Sequence, residues 1–250
     1  MIIENKKKWS IFLILLIFLP SFLLADQGQC QRGGWIYPNY EKGVFDPFES
    51  FNSGLSYINI SGGLELNPDG SITLSVPLTQ FEALALYKQF APSFQVFFSP
   101  SFSNSTFETI LSSDVTTATC AENLARFVFD YRFAIDGIIF DWEPGSTLPP
   151  ADQQQRYVCL CKQISKEFPD FFIPVRAFFD QRPRTDQFKI TELSYVLDAF
   201  ELQSYQLAFP GTGLQLTIDK WLELGLNPKQ ILLGIGITST ESSNVYIGEN

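Results

Sequence analysis

Residues Ile135-Asp136-Gly137-Ile138-Ile139-Phe140-Asp141-Trp142-Glu143-Pro144 end an apolar run on two carboxylates two positions apart. Successive side chains of a strand point to opposite faces, so Ile139, Asp141 and Glu143 share one face while Ile138, Phe140 and Trp142 share the other. The two acids then stand roughly 6.6 Å apart at Cα, near enough for one ionised group to raise the pKa of its neighbour. A carboxyl kept neutral near pH 7 is a general acid, and a carboxyl pair of this kind suits glycoside cleavage. The competing reading is an apolar strand that meets solvent at two ordinary surface acids. The chain has no histidine, which excludes Ser-His-Asp and Cys-His machinery and the common histidine metal site. Chemistry must run on carboxylates, tyrosine or groups of the substrate, and neither metal nor cofactor is expected.

Such a pair needs a strand that opens at a rim, and the chain offers a series of them. Strand-like runs fall at Gly34 to Pro38, Leu55 to Ser61, Phe94 to Ser99, Gly137 to Trp142, Phe171 to Ala177, Phe200 to Tyr205 and Ile231 to Ile237. Helices are expected between them. Thr119 to Tyr131 carries a capping box at Thr119 and Glu122 with Leu124, Phe127, Val128 and Tyr131 at helical spacing. Asp152 to Phe168 places Tyr157, Leu160, Cys161, Ile164 and Phe168 on one face, and Thr217 to Leu224 is a third helix. Short apolar strands alternating with amphipathic helices argue for parallel strands joined by crossovers. No Pro, Gly or Ser-rich linker divides the chain, so one domain over 26–250 is expected.

The amino terminus carries Lys6, Lys7 and Lys8, an apolar stretch from Ile11 to Leu24 interrupted by Pro20, and Ala25 before a polar segment. This is the layout of a secretory signal peptide, with cleavage near Ala25, and the stretch is shorter than the ~20 residues of a bilayer span. The expected protein is secreted, with residues 1–25 removed and no stable membrane span. Formal net charge is −10, and loss of residues 1–25 removes three lysines and one glutamate, making the balance more acidic. Nucleic acid is therefore not an expected partner. In an oxidising compartment Cys30, Cys120, Cys159 and Cys161 suggest disulfides. A bridge between the helices of Cys120 and of Cys159 or Cys161 is plausible, and sequence does not choose among the three pairings. Of two acceptor sequons, Asn59-Ile60-Ser61 lies in an apolar run and is expected to be inaccessible, leaving Asn104-Ser105-Thr106.

Asp136, Gly137, Asp141, Trp142 and Glu143 resemble the strand-four signature D-G-x-D-x-D-x-E of glycoside hydrolase family 18, the chitinase family. Leu55 to Ile72 resembles that family's second strand and the following turn, Phe94 to Ser99 its third, Phe200 to Gln206 its sixth with the motif M-x-Y-D, and Gln230 to Ile237 its seventh. The resemblance runs from about Gly34 to about Thr238. It implies a TIM-type (β/α)8 barrel, and the seven recognisable strands make it an incomplete one. The resemblance also implies substrate-assisted, retaining hydrolysis of chitin or related N-acetylglucosamine polymers. Glu143 would protonate the leaving oxygen, Asp141 would hold the 2-acetamido N–H, and Tyr205 would donate to the acetamido carbonyl. Ile139 stands where the first aspartate of D-x-D-x-E belongs, Gln206 where the last aspartate of M-x-Y-D belongs, and Gln203 where its methionine belongs. These departures weaken the expected enzyme, and two alternatives stay open: a chitinase-like lectin without turnover, and a secreted signalling protein on the same fold.

Flat aromatic rings can meet the apolar face of a pyranose. Trp35, Tyr37 and Trp142, with Gln206, are the candidate substrate contacts, and Tyr40 lies close by. Core packing competes for all of them in a chain with 25 phenylalanines, and Trp142, opposite Glu143 in strand parity, is expected to pack outside a barrel. After Ile237 only Thr238 to Asn250 remains, polar and too short for a further helix and strand, and it lacks the family's eighth-strand tryptophan. Either the chain is a fragment, or its first and seventh strands have edges that need covering.

Overall fold

The strand-like runs close into a ring in the computed structural model, which describes residues 32–38, 40, 45–50, 55–142, 149–167, 175–179, 189–203, 212–237 and 245–249. Its strands are β1 (Arg32–Ile36), β2 (Tyr57–Leu66), β3 (Ile72–Leu74), β4 (Gln95–Ser101), β5 (Gly137–Phe140), β6 (Val175–Phe179), β7 (Ala199–Gln203), β8 (Ile231–Ile237) and β9 (Val245–Glu249). Its helices are α1 (Pro47–Ser50), α2 (Leu78–Phe90), α3 (Asn104–Ile110), α4 (Asp114–Asp130), α5 (Ala151–Glu167), α6 (Ile190–Leu193) and α7 (Thr212–Glu223). All described residues lie in one compact unit, Gln31–Asn250. The proposed leader, residues 1–25, and Cys30 lie outside them.

Parallel pairing runs from β1 to β2, β4, β5, β6, β7 and β8 in turn. β9 lies between β8 and β1, antiparallel to both. Seven parallel strands agree with the seven recognised in the sequence, and the expectation of bare first and seventh edges is corrected by β9. Residues 238–244 are fewer than the dozen or so that a parallel crossover needs, so the chain returns as a hairpin arm. The architecture is a TIM-type α/β barrel, incomplete because its eighth place holds this reversed strand in place of a βα unit.

Strand alternation produces two cores. Ile58, Ile60, Val96, Phe98, Ile138 and Phe140 face outward and pack with Leu124, Phe127, Tyr157, Leu160 and Ile164 of α4 and α5. Trp35, Tyr57, Phe97, Ile139, Ala199 and Leu232 fill the barrel interior. Strands buried on both faces read as unbroken apolar runs, which is why they were recognisable. Gly33 is required here by space: a Cβ on it would stand 1.8 Å from the Tyr57 ring.

β2 outruns the barrel and forms a hairpin with β3. Its ladder shifts register between Ser61 and Glu65, where Gly62 and Gly63 take φ values of 107° and 81°. Only glycine enters this region without strain. Beyond it, Asn67-Pro68-Asp69-Gly70 forms the expected turn, with the Gly70 N–H donating to the Asn67 carbonyl at 2.9 Å. The Asp69 carboxylate accepts from the backbone N–H and the hydroxyl of Ser71.

The helix expected at Thr119 begins at Asp114, because the Ser113 hydroxyl accepts the Thr116 N–H at 3.1 Å and Thr119 lies inside the helix. Helix α5 matches its expected span within a residue. The expected bridge between these helices is not formed: Cys120, Cys159 and Cys161 are free thiols. Burial in the apolar layer pushes the Cys120 thiol up to about 12 and raises that of Cys161 further. Among the described residues no helix is long and apolar enough to cross a membrane. Asn59 is buried, as expected for the first sequon, whereas Asn104 is exposed at the start of α3.

Candidate active site

The two ends of the motif around β5 do different work. Asp136 precedes the strand, at the barrel's amino-terminal face. Its carboxylate receives the Lys88 ammonium at 2.6 Å and the Val96 N–H at 2.8 Å, tying α2 and β4 to the start of β5. Asp136 is thus a structural member of the motif, on the face where barrels invest in stability.

Asp141 lies just past the carboxyl end of β5, at the opposite rim. Phe140 and Trp142 both pack in the outer core, and Trp142 lies 5.2 Å from the rings of Phe107 and Tyr157. The alternation therefore continues beyond the ladder, and Asp141 falls on the inward row with Ile139. It is half-buried. Ile139 is fully buried among Tyr57, Phe97 and Trp35, so nothing beneath Asp141 on its own strand can take a proton. Trp142 packs in the outer core, outside the barrel interior, because its parity is that of Phe140. Glu143, Tyr205 and Gln206 lie outside the described residues.

The other aromatic candidates come together at β1. Trp35 is inside the barrel and stacks on Tyr37, with ring centroids 6.2 Å apart at 21°. Tyr37, one step past the strand, is 59% exposed. A buried ring carrying an exposed one at the carboxyl rim is a platform against which a flat apolar ligand face can rest.

The Trp35 indole N–H donates to the Glu201 Oε1 at 3.2 Å. Glu201, on β7 and 3% exposed, was not among the sequence candidates. Its signal was local: an acid between Phe200 and Leu202 in an apolar strand must turn to the side opposite Phe200, which is the barrel interior. Asn59 is a second interior polar group missed in that role. Its strand neighbours in register are Trp35 and Phe97, both interior. Outside the ring, burial raises the Tyr157 phenol well above its ordinary value, with smaller contributions from Cys161 and the Asp141 charge.

The site therefore combines an acid at the carboxyl rim of β5, an aromatic pair at the end of β1 and a buried carboxylate on β7 that accepts from the inner ring of that pair. No curated protein matches the chain in sequence. Among solved structures it is similar to a chitinase from Bacillus thuringiensis at 15% identity and TM-score 0.65, covering 86% of this chain and 50% of that one. The C-terminal domain of a chitinase-like protein from Desulfitobacterium hafniense gives 13% identity and TM-score 0.68, covering 88% and 72%. A Group IV chitinase of Ostrinia furnacalis, solved in complex with allosamidin, gives 11% and 0.63, covering 88% and 71%. The chain thus spans half the length of the Bacillus protein. These likenesses establish the fold, and the family model for glycosyl hydrolases family 18 matches residues 37–248. With the strand-four motif at the carboxyl rim of such a barrel, the chain belongs to glycosyl hydrolases family 18.

Proposed function

We propose that this protein is a secreted glycoside hydrolase acting on chitin or N-acetylglucosamine oligomers by substrate-assisted, retaining hydrolysis. The observation that carries the reading is Asp141 on the inward row at the carboxyl rim, two residues before Glu143 in a family 18 chain. Glu143 protonates the leaving oxygen. Asp141 accepts the 2-acetamido N–H and steadies the positive charge of the oxazolinium intermediate, while Tyr205 donates to the acetamido carbonyl and Gln206 offers a neutral hydrogen bond. Trp35 and Tyr37 supply the stacking surface. Turnover is weakened, because Ile139 offers Asp141 no partner for its proton.

Glu143→Gln tests the assignment, since the amide preserves shape and cannot donate the proton. Product release from an N-acetylglucosamine oligomer should vanish while oligomer affinity stays within a few-fold. Equal turnover in parent and variant removes Glu143 from the chemistry. The apolar environment of Ile139 favours one second reading, a lectin that keeps the groove. Measurable oligomer affinity in a parent without turnover selects it. Export is tested by N-terminal sequencing of the protein recovered from medium, which should begin at Asp26.

A further inference from the structure

We propose that Asn104 carries an N-linked glycan at the carboxyl rim, where it holds a packed polymer surface off the groove while single oligomer chains still enter. This deepens the reading given above: the modification rests on export of the chain, and its effect on saccharide rests on the groove. Two Asn-x-Ser/Thr acceptor sequences occur, at Asn59 and at Asn104, and the fold separates them. Asn59 lies within β2, paired in register with Trp35 and with Phe97, and is 0% exposed. A glycan is bulky and hydrated and belongs on a surface, so a chain modified at Asn59 has no room to close this barrel. Asn104 is exposed.

Three features fit Asn104 to this modification. An asparagine where a helix starts commonly serves as the cap, its side chain bound to the backbone of the first turn. Here the cap is Ser103, whose hydroxyl accepts the Thr106 N–H at 3.0 Å. Asn104, the first residue of α3, is left with an amide that has no hydrogen-bond partner among the described residues. The hydroxyl that the acceptor sequence requires belongs to Thr106, which lies in the same first turn, its Oγ1 2.8 Å from the Ser103 Oγ. The acceptor also sits on a fixed element, because Phe107 and Ile110 are fully buried and hold α3 against the barrel.

The chain path sets the position. β4 ends at Ser101, and Asn104 begins the helix that follows, at the rim where Asp141 lies just past the neighbouring β5. One helical turn further, the Phe107 ring packs 5.2 Å from the ring of Trp142, the residue after Asp141. Side chains of a helix lean toward its N-terminus, which in α3 is the end at the rim. A packed polymer approaches as a plane, so it meets a bulky hydrated group here before it reaches the groove. A single oligomer chain brings no such plane.

Peptide mass spectrometry of the protein secreted from a eukaryotic host reads the site. Peptide N-glycosidase should release a single glycan and leave aspartate at position 104, with Asn59 unmodified. Thr106→Val should abolish the modification and Thr106→Ser should keep it, because the acceptor sequence requires only the hydroxyl. Export with Asn104 unmodified overturns the proposal, as does modification at Asn59 alone. Replacing residues 1–25 with a leader of proven function keeps the measurement decisive if the native leader does not export. Asn104→Gln should bind insoluble chitin about threefold or more better than the glycosylated parent, with affinity for a soluble N-acetylglucosamine oligomer within about twofold. A variant that holds polymer no better than the parent, whether both bind or neither does, refutes the steric role. Failure of the parent to bind oligomer rejects the saccharide reading, and the glycan at Asn104 is decided without it.

Discussion

Trp35 and Tyr37 touch each other and yet answer to different requirements. Tyr37 is largely exposed, so Tyr37→Ala removes a stacking surface and little packing. Oligomer affinity should fall about three- to tenfold, with stability within about 0.5 kcal/mol of the parent, as a titration and a thermal melt would report. Trp35→Phe keeps a ring in the interior and deletes the indole donor that serves Glu201. A buried acceptor deprived of a donor costs about 1–3 kcal/mol, so this variant should melt earlier as well as bind less. Asp136 provides the contrast. Asp136→Asn breaks the ion pair with Lys88 and keeps an oxygen for the Val96 N–H, which should cost about 1–2 kcal/mol. Any turnover should be unchanged, because the lesion lies at the face away from the chemistry.

Among the elements, the contact of α4 with α5 has a pH signature. Cys120 and Cys161 are buried as neutral thiols with raised pKa values, whereas in the unfolded chain they ionise near the ordinary value of 9.0. Above that pH the unfolded state sheds protons that the folded state retains. Their stabilising contribution is complete below about pH 9 and declines as pH rises toward 12. The melting temperature should therefore drop on this alkaline limb, and Cys120→Val should make the drop shallower. The same helices show what the sequence made legible. α5 was readable because its apolar residues recur on one face. The start of α4 was misread because Thr119 and Glu122 imitate a capping box in mid-helix, while the working cap at Ser113 precedes a first turn with little apolar periodicity. α2 went unrecognised because Leu78–Phe90 carries apolar residues around much of its circumference, and periodicity fails where there is no polar face. Asp141 could be read from spacing alone. Glu201 and Asn59 could not, because their significance depends on strands brought together from distant parts of the chain.

At the scale of the whole molecule the decisive contact is the one that seals the ring. β9 looked like a polar tail because nothing local marks its partners; it is defined by the edges of β8 and β1 that it satisfies. Closure also depends on Gly33, beside which the Tyr57 ring lies. Gly33→Ala forces a methyl into that ring and should destabilise by about 1–3 kcal/mol, measured by denaturant unfolding. The pairing of Arg32 with Glu249 has a further consequence for chain connectivity. It joins residues nearly as far apart in sequence as the domain allows, so in a refolding experiment the seal should be among the last contacts to form. It also leaves the two ends of the barrel side by side. A circular permutant that links Glu249 to Arg32 through a few residues, and opens the chain instead at the exposed tip around Asp69, should keep the fold and convert the slowest long-range closure into a local one.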